Sequence, residues 1–75
     1  MFDLTKAQQT ALLAIVDADG GAIDKYGRMV LRGEVSKHDA ATWLRLAAMS
    51  LIVGDRNARM IPSNAGLAVA NDIRK

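Results

Sequence analysis

Ser36, His38 and Asp39 carry the group types of a hydrolytic triad: a hydroxyl, an imidazole and a carboxylate. That chemistry requires the side chains to converge, with nucleophile and base within hydrogen-bond reach. Near neighbours in the first turn of one helix diverge, so this trio is not expected to act as a catalytic site. Asp17-Ala18-Asp19-Gly20-Gly21 offers the opening of a calcium loop. An EF-hand needs an oxygen ligand at its fifth position, Gly at its sixth and Glu at its twelfth. This chain has Gly21, Ala22 and Arg28 there. The chain has one His and no Cys, which leaves no zinc ligand set, no disulfide and no thiol nucleophile. No glycine-rich nucleotide loop occurs. The expectation is a protein with no enzymatic activity, no metal and no small-molecule cofactor.

Capture of phosphate by cations is the chemistry that remains. Ten Lys+Arg against eight Asp+Glu give a net charge of only +2, too small a total to mark a nucleic-acid binder. The distribution says more. Residues 1–24 hold one Lys against four Asp, a net of −3. Residues 25–59 hold seven Lys and Arg against three acids, a net of +4, and residues 60–75 add +1. A phosphate-binding surface has to be basic locally, not over the whole chain.

At 75 residues and 51% hydrophobic content the chain forms a single domain, residues 1–75, with a small core. Asp3 stands where a signal peptide carries basic residues, and no apolar run approaches the roughly 20 residues of a membrane span. A soluble cytoplasmic protein is expected.

The elements that must position the cations follow from spacing. Thr5 and Gln8 have capping-box spacing ahead of a helix over residues 5–19, with Gly20-Gly21 as its stop. Ala22-Ile23 fits a short strand. Asp24 then caps a short helix from Lys25 to Arg32 that buries Tyr26, Met29 and Val30 and ends at Gly33, although Gly27 and Val30 weaken it. Ser36-Lys37-His38-Asp39 is a second capping-box pattern, opening a helix from 37 to about 50. Its apolar stripe is Ala40, Trp43, Leu44, Ala47 and Leu51. Leu51-Ile52-Val53 and Arg59-Met60-Ile61 read as a β-hairpin around residues 54–58, ended by Pro62. Ser63 caps a last helix with Leu67, Ala70 and Ile73 inward.

This order resembles a winged helix-turn-helix domain: mainly α with a small β-hairpin, α-β-α-α-β-β-α. The run Thr42-Trp43-Leu44-Arg45-Leu46-Ala47-Ala48-Met49-Ser50-Leu51-Ile52 resembles a recognition helix running into its wing. Ser50 stands where such families typically have Gly. Ile61-Pro62-Ser63-Asn64-Ala65-Gly66-Leu67-Ala68 is similar to the Leu-Thr-x-x-Gly-x-Ala stretch that follows the wing in MarR- and PadR-like regulators. Small proteins of this kind resemble products of bacteria and their phages.

The resemblance implies a transcriptional regulator that occupies a site on double-stranded DNA. Lys37, His38, Thr42 and Arg45 would face the major groove from the recognition helix, with Ala41 beside them. Arg28 and Arg32 would touch the backbone from the preceding helix, and Arg56, Asn57 and Arg59 from the wing. A module this small would act with a second copy or a protein partner. Only Arg45 on that helix has a base-reading side chain, and a solvated helix face explains Lys37, Thr42 and Arg45 equally well. Trp43 fits a core anchor better than an interface hot spot, and ring packing fits Tyr26 better than a phosphate contact. The rival expectation is a winged-helix adaptor or inhibitor that binds protein and no nucleic acid.

Overall fold

The computed structural model of the chain describes residues 4–54 and 59–74. Its first helix, α1 (Lys6–Asp17), opens as its sequence predicts. Thr5 Oγ1 accepts the Gln8 N–H at 3.1 Å, and Gln8 Oε1 accepts the Thr5 N–H at 3.0 Å. The helix closes differently. Asp19, not a glycine, takes the left-handed conformation (φ +58°), so that its N–H reaches Val16 O and the Gly20 N–H reaches Ile15 O. These are the two bonds of a Schellman motif.

The expected helix from Lys25 to Arg32 is not formed. In its place the chain builds two hairpins from β1 (Gly21–Ile23), β2 (Met29–Leu31) and β3 (Glu34–Val35). Two turns explain this. Asp24-Lys25-Tyr26-Gly27 has Asp first and Gly fourth: the Gly27 N–H returns to Asp24 O at 3.0 Å, and Gly27 takes φ +79°. A three-residue loop with a left-handed last residue is a favoured hairpin closure. Arg32 (φ +52°) and Gly33 (φ +82°) are both left-handed, as a two-residue type I′ turn requires. Tyr26, expected in the core, is 69% exposed.

The second helix, α2 (Ala40–Ala48), starts three residues later than expected, because Asp39 and not Ser36 is its N-cap. Ser36 instead accepts the His38 N–H. Ser50 (φ +60°) closes α2 with the same pair of bonds that end α1, Ser50 N–H to Ala47 O and Leu51 N–H to Leu46 O. A non-glycine residue thus takes the left-handed conformation at this helix end as well. The ribbon follows as β4 (Ile52–Gly54) and β5 (Arg59–Pro62), with Pro62 inside the second strand, not beyond it. Ser63 caps α3 (Asn64–Ile73), as expected.

All five strands form one antiparallel sheet in the order β3-β2-β1-β5-β4. The protein is therefore mixed α/β, not mainly α, and β strands occupy the place of the first helix of a helix-turn-helix pair. The core is built from Ala11, Leu12 and Ile15 of α1, Trp43 and Leu46 of α2, and Met29, Leu51, Ile52 and Ala70. Trp43, 3% exposed, is the core anchor its spacing suggests. Leu44, counted on the apolar stripe, points outward at 69% exposure, and Leu67 is also exposed. Gly66 allows α3 to touch the α2–β4 turn: a Cβ there would lie 2.0 Å from Leu51 O.

Register divides the sheet into two ends. β1 and β4 run toward the Asp24–Arg28 turn, β2 and β5 run away from it, and β3 returns toward it. The opposite end gathers the close of α1, the close of α2, the Arg32-Gly33 turn and the start of α3.

Candidate nucleic-acid interface

The end of the sheet that carries the Asp24–Arg28 turn is built around one carboxylate. Asp24 Oδ1 accepts the backbone N–H of Tyr26 at 2.9 Å and of Arg28 at 2.8 Å, and Oδ2 pairs with Arg28 Nε at 2.9 Å. The Arg28 N–H, helped by the Tyr26 N–H and the Arg28 guanidinium, holds the Asp24 carboxyl below its ordinary pKa. Its charge therefore persists through the neutral range and fixes the loop. The loop presents Tyr26 with Lys25 Nζ 5.1 Å from the ring centroid and the Arg28 guanidinium 5.0 Å from it. Both distances are within cation–π range.

Lys37 follows β3, which runs toward this end. Val30 pairs with Val35, and the Ser36 N–H reaches Met29 O at 2.7 Å; Lys37 then stands at the bend that leads to α2. Lys25 and Lys37 make no ion pair among the described residues.

Two expected backbone contacts lie elsewhere. Arg32 sits at the opposite end and donates to Asp17 O at the close of α1. Arg59 starts β5, but its guanidinium donates to Asp19 O at 3.1 Å. Arg74 adds an ion pair to the Asp17 carboxylate. Three arginines thus converge on the C-terminal end of α1, where a helix leaves carbonyls unsatisfied and favours cations. Arg56 and Asn57 lie outside the described residues.

The expected recognition helix has a different character from the turn. Lys37 and His38 precede α2 instead of standing on it. The Thr42 hydroxyl donates to Asp39 Oδ1 at 2.8 Å, and its N–H to the same oxygen at 3.0 Å. These Thr42 bonds, side chain first, lower the Asp39 pKa. A carboxylate that stays ionised therefore occupies the N-terminal N–H site where a phosphate would dock. His38 meets Trp43 edge-on, with centroids 5.8 Å apart and planes at 89°. The Trp43 indole N–H is buried without a hydrogen-bond partner. The outward face of α2 consists of Ala40, Ala41, Leu44, Arg45 and Ala48, of which Arg45 alone has donors for base edges.

No described group of His, Cys, Asp and Glu side chains could hold a metal, and no described helix is long and apolar enough to cross a membrane. An apolar groove lies between the start of α1 and α3, lined by Leu4, Ala68, Val69 and Ile73 with Gln9 and Asp72 at its margin. Sequence reasoning missed Lys25 and set Tyr26 in the core. The turn signal, Asp24 followed three residues later by Gly27, would have found both. No family model, no curated protein and no solved structure matches this chain.

Proposed function

We propose that this protein is a nucleic-acid-binding module that holds a phosphate backbone with the turn end of its sheet. Lys25, Arg28 and Lys37 supply the positive charge. The observation that carries this reading is the Asp24–Arg28 turn, where a carboxylate and two backbone bonds fix an exposed aromatic ring between two cations. Arg28, held by Asp24, loses little freedom when a phosphate arrives, which favours binding. Regulation by occupying a site remains the role such a module would fill. The surface that carries it differs from the recognition helix expected from sequence.

Salt dependence tests the reading. Each phosphate neutralised releases counterions, so three contacts should give a slope of log K against log salt of about −2 to −3. Lys25→Ala, Arg28→Ala and Lys37→Ala combined should abolish binding to labelled DNA at low salt while the far-ultraviolet spectrum stays unchanged. Absence of binding by the wild type at low salt, or full binding by the triple variant, overturns it.

One observation favours the rival reading of a protein-binding adaptor. Leu44 stands 69% exposed among alanines on the outward face of α2. In that case a partner would be recovered from nuclease-treated lysate by the wild type and lost with Leu44→Arg, with no role for the turn.

A further inference from the structure

We infer that the nucleic acid this module takes is single-stranded, and that Tyr26 stacks on an unpaired base while Lys25 and Arg28 hold the flanking phosphates. The inference rests on the nucleic-acid reading above and names its ligand class.

Two features carry it. First, the ring is exposed at the tip of a fixed turn, whereas a tyrosine used for packing would be covered. In a duplex each base face is covered by its neighbours and a groove offers only edges, so a ring face has nothing to stack on there. A single strand exposes base faces, and aromatic platforms beside cations are the usual means of holding it.

Second, the two cations on the ring are held unequally. Arg28 is tied to Asp24 by an ion pair, while Lys25 makes none among the described residues. An arriving base can displace Lys25 from the ring and leave its ammonium free for a phosphate, with Arg28 unmoved.

Anisotropy titrations of the intact protein with a labelled thymidine oligonucleotide of about 12 residues, and with a duplex of the same length at equal salt, test this. The single strand should bind more tightly. Tyr26→Ala should weaken it about ten-fold while changing duplex binding less than about two-fold, and Tyr26→Phe should bind like the wild type. Because Tyr26 is exposed, both variants should melt with the wild type. Duplex binding equal to or tighter than single-strand binding, or equal losses on both ligands with Tyr26→Ala, overturns the inference and leaves the phosphate-binding module standing. Binding to neither ligand overturns both.

Discussion

The two ends of the sheet use the same residue types for opposite purposes. At the end where α1 stops, Arg32, Arg59 and Arg74 all turn inward to the carbonyls and carboxylate of Asp17 and Asp19. They complete a helix terminus and tie it to β2, β5 and α3. At the other end Arg28 is anchored by Asp24, Lys25 and Lys37 make no ion pair among the described residues, and an aromatic ring stands in the open. A count of cations over residues 25–59 cannot separate these arrangements, because it does not register which guanidinium groups are turned onto the end of α1.

The glycines at the two ends give the sharpest test of that division. Gly66 lies at the α1-closing end, where an added Cβ would sit 2.0 Å from Leu51 O and 3.0 Å from Leu51 C. Both are backbone atoms within a turn, so α3 has to move. Gly66→Ala should cost about 3 kcal/mol or more and lower the melting temperature by more than about 12 °C for a domain of this size. Gly27, at the turn end, has nothing within 4 Å of the corresponding position and needs glycine only for its φ of +79°. Gly27→Ala should cost about 1 kcal/mol and show mainly as weaker nucleic-acid binding, since the loop that presents Tyr26 would be strained. Comparable losses of stability from the two variants would dissolve the distinction between a structural end and a binding end.

What the sequence discloses follows the same division. Helical spacing and capping predict α1, α2 and α3, and two β-rich triplets predict the β4–β5 ribbon, through residues that the core does bury: Leu12 and Ile15, Trp43, Ile52 and Ala70; the stripe expected on α2 counts the exposed Leu44 and omits the buried Leu46. Residues 24–35 have little burial to report. Their strands are two or three residues long, too short for an alternation of apolar and polar positions to register. Met29, Val30 and Leu31 in a row fit a helix as readily as a strand. The information there is in the turns, Asp24 to Gly27 and Arg32-Gly33, and Gly33 was read as a helix stop when it completes a hairpin. The start of α2 was misplaced for a related reason. Ser36 and Asp39 are both good caps, and only the path of β3, which keeps Ser36 against Met29, decides for Asp39. Ser50 is a special position that helical spacing alone does not mark: it closes α2 with a left-handed φ although it is not a glycine.

That position supplies a gain to set against the loss at Gly66. A non-glycine residue at φ near +60° is strained by roughly 1 kcal/mol, partly offset because glycine loses more freedom on folding. Ser50→Gly and Asp19→Gly should each raise stability by about 0.5 kcal/mol, read as a rise of about 2–4 °C in melting temperature. The sites belong to separate helix closures with no hydrogen bond between them, so the two gains should add. Nucleic-acid affinity should not change, since both lie at the α1-closing end. A gain in affinity from either would tie the closures to binding.

Acid should act on the opposite end. Asp24 holds the turn and Asp39 caps α2, and both have their pKa lowered from 3.8 by the hydrogen bonds they accept. A carboxyl with a depressed pKa in the folded protein adds stability that is present above its unfolded pKa and lost as pH falls through the folded one. Between pH 7 and 5 both remain ionised and nothing should change. As pH falls below 3.8 and through their lowered folded pKa values the carboxylates protonate, and the N–H groups of Tyr26, Arg28 and Thr42 lose a charged acceptor. Amide exchange at these three should speed up in acid beyond the intrinsic rate, while Gly20 and Leu51, bonded to backbone carbonyls, should keep their protection. Because Asp24 and Asp39 are at the surface, the effect is the smallest of the series and local, showing in exchange before it shows in melting. Equal loss of protection at Leu51 and Tyr26 would mean that the two ends open together, and that the turn has no independent structure to present to a strand.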